Sequence, residues 1–85
     1  MKKFEYTIKD ELGIHARPAG LLAKEAKKYS SVCMIEKGGK SVKLSQLMML
    51  MSLGAKQGDL VKVTAEGEDE DTAIAELEKF FNENL

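Results

Sequence analysis

His15 is the only histidine in the chain, and Arg17 is the only arginine among 13 basic residues. They lie two positions apart in Gly13-Ile14-His15-Ala16-Arg17-Pro18-Ala19-Gly20, directly before an apolar pattern of helical period. Pro18 belongs to the first turn of that helix, where a missing N–H costs nothing, so the helix begins near Ala16 with His15 at its N-cap. The first N–H groups of a helix have no partners inside it, and with the macrodipole they form an anion site. Ala16 and Arg17 supply such N–H groups, and the Arg17 guanidinium suits two-point contact with phosphate oxygens. A neutral imidazole at that position has a lone pair that can act as a nucleophile. A nucleophile beside a cradle for the anion that attaches to it points to a phosphohistidine.

Other chemistries lack the residues they need. One Cys and one His are too few for an ordinary zinc site or for an internal disulfide, so neither metal nor cofactor is expected. Cys33, alone in a strand pattern, reads as a small buried residue rather than a redox centre. No apolar run reaches the length of a membrane span, and the start of the chain goes straight into an alternating pattern, unlike a signal peptide. A cytoplasmic protein is the expectation. A chain of 85 residues can build one core and no large internal pocket, so its chemistry must lie at the surface.

The elements that position His15 follow from periodicity. Phe4, Tyr6 and Ile8 alternate with polar residues, as do Val61, Val63 and Ala65, giving two half-buried strands. Val32–Lys37 and Lys40–Leu44 read as strands joined by the two-residue turn Gly38-Gly39. Ala19, Leu22, Ala23, Ala26 and Tyr29 mark the first helix, Leu47–Leu53 a short second helix ending at Gly54, and Ala73, Ile74, Leu77, Phe80 and Phe81 a third. Asp69 to Asp71 place acids at the start of that third helix. The order β-α-β-β-α-β-α predicts an α+β fold: one domain over residues 1–85, with helices on one face of a four-stranded sheet and the other face open to water.

Two features concern partners. Leu47-Met48-Met49-Leu50-Met51 is apolar all around a short helix, which can bury only one stripe. Some of these side chains must therefore face water, and exposed methionines repack easily against different partners. Charge is also unevenly spread. Residues 1–62 hold 12 of the 13 basic groups and 6 acids, whereas residues 63–85 hold Lys79 against 8 acids. Lys24 and Lys27 continue the helix face of Gly20 and could steer an acidic partner. Nucleic acid is not expected: Phe4, Tyr6, Tyr29, Phe80 and Phe81 form no surface stacking series.

Gly-Ile-His-Ala-Arg-Pro-Ala resembles the active-site signature of the HPr family, the phosphocarriers of the bacterial phosphoenolpyruvate:sugar phosphotransferase system. Met51-Ser52-Leu53-Gly54 and Ala65-Glu66-Gly67-Glu68-Asp69-Glu70 also resemble family segments. The resemblance implies the open-faced β-sandwich and a carrier rather than an enzyme. It implies that His15 takes a phosphoryl group from phospho-Enzyme I at Nδ1 and passes it to enzyme IIA proteins, with Arg17 stabilising the phosphoryl oxygens. It maps the contact surface onto Gly20, Leu47, Met48 and Met51, with Lys24 and Lys27 around it. A carrier that presents one face to two partners in turn is most simply a monomer. Two positions depart from the family. Leu12 stands where many members have a small polar residue. Gln46 stands where many have a serine that an ATP-dependent kinase phosphorylates. Ser45 beside it reads as a helix N-cap, with a displaced phosphosite as its other reading. An HPr-like regulatory paralogue in nitrogen or carbon control is the alternative to sugar uptake. A small nucleic-acid binder is a third reading, which the arrangement of aromatic residues disfavours.

Overall fold

Alternating side chains along two strands and glycines at the turns leave few ways to close a sheet over three amphipathic helices. The computed structural model describes all residues from Met1 to Leu85. Its elements are β1 (Lys2–Thr7), α1 (Ala16–Ala26), β2 (Val32–Lys37), β3 (Lys40–Lys43), α2 (Leu47–Ser52), β4 (Leu60–Glu66) and α3 (Glu70–Asn84). The sheet runs β1-β4-β2-β3 and every pairing is antiparallel. The expected element order and layering are therefore present. Some ends come earlier than expected: α1 stops at Ala26, three residues before Tyr29, while α2 stops at Ser52 and β3 at Lys43, each one residue early.

Register sets the two faces. Phe4 pairs with Val63, and Val63 with Ile35, so the apolar rows of β1, β4 and β2 coincide on the helix side. The opposite face carries the row Glu5–Lys62–Glu36–Ser41, of alternating charge and then a hydroxyl. Gly38 and Gly39 both take positive φ, 56° and 86°, as a two-residue turn between β2 and β3 requires. Phe81 of α3 meets the edges of Phe4 and Tyr6 at centroid distances of 5.4 and 5.5 Å, fixing α3 across β1.

The core joins Leu22 and Ala19 of α1, Ile35 and Val42 of the hairpin, Val61 and Val63 of β4, and Leu77 and Phe81 of α3. Helix α2 contributes only Leu50. Its C-terminal end is held by lysines from the β2–β3 hairpin: Lys37 Nζ donates to Gly54 O at 2.8 Å and Lys40 Nζ to Ser52 O at 3.3 Å. At the far end, Asp69 departs from its expected role of only complementing the α3 dipole. Its carboxylate accepts from Ser30 N–H and Ser31 N–H, both at 2.9 Å, and from the Ser31 hydroxyl, tying α3 to the α1–β2 connection. No helix is long and apolar enough to cross a membrane.

Candidate functional site

The loop before α1 is fixed from beneath. Gly13 sits at φ 67° against the Ala55–Lys56 backbone, and Ile14 N–H donates to Ala55 O at 3.0 Å. Ile14 is buried and anchors the chain just before His15. His15 itself is extended (φ −102°, ψ −175°) and is the N-cap of α1, as expected, with its carbonyl taking the first helical bond from Ala19 N–H at 2.9 Å. Its side chain does not cap the helix. Neither Ala16 N–H nor Arg17 N–H has a backbone acceptor, and the first turn of α1 holds no acid. The helix end therefore presents two free donors and an unopposed dipole.

His15, Arg17, Pro18 and Leu21 line an open depression of ≈ 250 Å³ together with Asp10 and Asn84. The His15 ring makes no hydrogen bond in this site, and its Nε2 lies 3.9 Å from Asp10 Oδ1. Asp10 is itself held, since Oδ1 accepts from Leu12 N–H at 2.8 Å and its carbonyl from Gly13 N–H at 3.0 Å. Lys9 and Asp10 both donate their N–H groups to Leu85 O, which brings the end of α3 against this loop. No group of three or more His, Cys, Asp or Glu is arranged to hold a metal. The site can thus offer a nucleophilic ring nitrogen, two backbone donors and a guanidinium to an anion approaching from solvent.

The sequence-derived contact residues lie close by. Gly20 follows on α1 and is half-buried, with nothing within 4 Å of where a Cβ would stand, while Lys24 and Lys27 are exposed further along the helix. On α2, which packs beside α1, Leu47 is 40%, Met48 75% and Met51 41% exposed, as the apolar run required. Ser45 differs from expectation. Gln46, not Ser45, is the N-cap of α2, and its carbonyl accepts from Leu50 N–H at 2.9 Å. The turn Gln46 N–H to Lys43 O at 3.2 Å starts the helix one residue later, and no side chain caps it. Ser45 instead lines a separate depression with Lys27, Cys33 and Lys43.

Asp10, Leu21 and Asn84 were not read from the sequence. Leu21 is exposed and falls out of phase with the buried Leu22–Ala26 stripe, a signal the sequence did carry. Asn84 reaches the site only through the tertiary placement of α3. Cys33 is buried as expected, and burial, with the nearby Asp69 charge, pushes its thiol above the ordinary range.

A family model described as the PTS HPr component phosphorylation site matches residues 2–83. The phosphocarrier protein HPr of Mycoplasma genitalium is 40% identical over 85 residues, spanning 99% of this chain and 97% of that protein. A solved mycoplasma histidine-containing phosphocarrier protein superposes with a TM-score of 0.94 at 38% identity, covering 96% of this chain and 93% of that one. An HPr structure from Thermoanaerobacter tengcongensis gives 0.88 at 45% identity, with 100% of both chains covered. Sheet order, helix placement and a histidine at the start of α1 thus coincide with agreement along nearly the whole length, and the chain belongs to the HPr family of phosphocarrier proteins of the phosphotransferase system.

Proposed function

We propose that His15 accepts a phosphoryl group at Nδ1 from phospho-Enzyme I and hands it to enzyme IIA proteins for sugar uptake. The observation that carries this reading is the His15 ring, without a hydrogen bond, beside the unpartnered Ala16 and Arg17 N–H groups at the start of α1. With Nε2 toward Asp10, Nδ1 is the nitrogen left for attack. Its lone pair forms the N–P bond as the donor's bond to phosphorus breaks, the released pair staying on the donor. Delivery reverses this, and the pair returns to Nδ1. The phosphoryl oxygens meet the Ala16 and Arg17 N–H groups, and the Arg17 guanidinium neutralises their charge as the group moves. The chain is a regenerated substrate in this cycle and not a catalyst.

Partners dock on Gly20, Leu47, Met48 and Met51, with Lys24 and Lys27 steering acidic surfaces toward them. The exposed methionines on α2 support a face that accepts more than one shape. We infer that the protein works as a monomer in the cytoplasm, because a carrier that presents one face to two partners in turn needs no second copy. Gln46 at the helix start brings no hydroxyl, and we infer that the serine kinase of the family does not regulate this protein.

The test is labelling. Incubation with Enzyme I, phosphoenolpyruvate and Mg²⁺ gives a mass gain of one phosphate that is acid-labile and alkali-stable, and His15→Ala abolishes it. Full labelling of His15→Ala would overturn the assignment.

A further inference from the structure

We propose that Asp10 is a positioning residue for the His15 ring: its carboxylate, facing Nε2, holds the proton on that nitrogen and so keeps the Nδ1 lone pair turned to the anion site. The inference rests on the reading that Nδ1 is the phosphoryl acceptor and adds a residue to it. A neutral imidazole carries its proton on one nitrogen only, and the partner facing one nitrogen decides which. Asp10 Oδ1 stands 3.9 Å from His15 Nε2, ion-pair range and beyond a hydrogen bond, with the side chains 37% and 34% exposed for His15 and Asp10. Such contacts are often long before a reaction partner arrives and tighten when it does.

Asp10 is suited to this role by its own restraints. Leu12 N–H fixes Oδ1 at 2.8 Å, Gly13 N–H donates to its carbonyl, and its own N–H donates to Leu85 O. Three bonds therefore hold the residue in a turn that would otherwise be loose. Its second carboxylate oxygen has no hydrogen-bond donor in the fold. Among the other groups around the ring, Arg17 comes from α1 and can only donate, and α2 carries no titratable side chain. Asn84 from the end of α3 gives its amide N–H to Phe80 O at 3.0 Å and keeps its Oδ1 as a neutral acceptor, which a charged carboxylate outcompetes for the Nε2 proton. Leu12, whose side chain brings no donor to the loop, contributes instead through its backbone N–H, which orients Asp10.

The consequence reaches into the reaction. As Nδ1 attacks phosphorus, positive charge develops on the ring, and the Nε2–H proton stays where it is. A carboxylate opposite that proton stabilises the charge without taking it, the arrangement of an acid that orients a histidine. No proton need be lost or gained during transfer.

The experiment uses the full chain with ¹⁵N-labelled histidine, as wild type, Asp10→Asn and Asp10→Ser. Asn and Ser keep an oxygen for Leu12 N–H, so matched urea midpoints verify the turn. Ring ¹⁵N shifts at alkaline pH report which nitrogen holds the proton. The expected result is a rise of at least threefold in the Nδ1–H share in both variants. Phosphorylation by Enzyme I and phosphoenolpyruvate then falls about tenfold in kcat with KM little changed. Unchanged proton placement in both variants would overturn the inference even with labelling intact. A changed placement with no labelling of any of the three proteins would instead sustain the Asp10 relationship and refute the carrier reading.

Discussion

A Cβ built on Gly13 would stand 2.2 Å from the carbonyl oxygen of Ala55, the same oxygen that accepts Ile14 N–H at 3.0 Å. The loop carrying His15 is thus pressed on the chain that follows α2, with no room for a side chain. Gly13 also lies at φ 67°, where L-residues are strained. Gly13→Ala is expected to cost about 2–3 kcal/mol in urea unfolding. It should also slow His15 labelling, because Ala55 and Lys56 must shift to admit it. Wild-type stability and rate in this variant would mean that the loop moves freely.

Arg17 is exposed and takes part in no ion pair. Arg17→Ala should slow phosphoryl transfer at least tenfold, while stability stays within about 1 kcal/mol, as for surface charges generally. Stopped-flow labelling and urea midpoints on the same preparation separate the two effects.

On α2, neighbouring positions should diverge. Met48→Glu, at the most exposed side chain of the helix, should leave stability within about 0.5 kcal/mol yet weaken Enzyme I binding at least tenfold. Leu50→Ala, at a fully buried position, should cost about 2–5 kcal/mol. Calorimetric titration against Enzyme I checks the first, and denaturation the second. Unfolding of Met48→Glu would move the contact surface off α2.

The Ser31 hydroxyl and the Ser30 N–H beside Asp69 hold its carboxyl below the usual carboxylate range. A depressed value in the folded state means stability that is present above the unfolded value, near about 4, and lost as pH falls through the folded one. Asp69→Asn should therefore lower the urea midpoint at pH 7. The gap to wild type should narrow below about pH 4, where the wild-type carboxyl takes up its proton. A gap that does not change with pH would assign the clasp to shape rather than charge.

Ser45 should remain unmodified when the protein is incubated with the serine kinase and ATP. Its side chain lies in the depression formed with Lys27, Cys33 and Lys43, one residue before the N-cap of α2. Stoichiometric phosphate mapped to Ser45 by mass spectrometry would restore that mode of control.

What could be read from the chain depended on range. Alternation in β1 and β4, Gly38-Gly39 between β2 and β3, and Pro18 at the start of α1 are local signals, and each produced the element expected of it. The helix end at His15 was legible because Pro18 fixes the first turn. Ser45 misled because capping preference favours serine over glutamine. Here, however, Leu44 N–H bonds to Cys33 O at 2.9 Å, which keeps the chain in the sheet's grip until the turn at Lys43–Gln46 has formed. Asp10 and Asn84 share a depression across more than seventy positions of sequence, and no period or motif announces such a meeting. Asp69 likewise read as a local acid at a helix start, whereas its donors sit in the α1–β2 connection.

The depression around His15 is open to solvent, and the His15 side chain is 37% exposed. A P–N bond formed there would stay in contact with bulk solvent, so the protein would not store the group for long. Its lifetime as a courier would be set by how soon the next partner is met. Abundance and rapid encounter, rather than sequestration, would then limit how much phosphate reaches its destination.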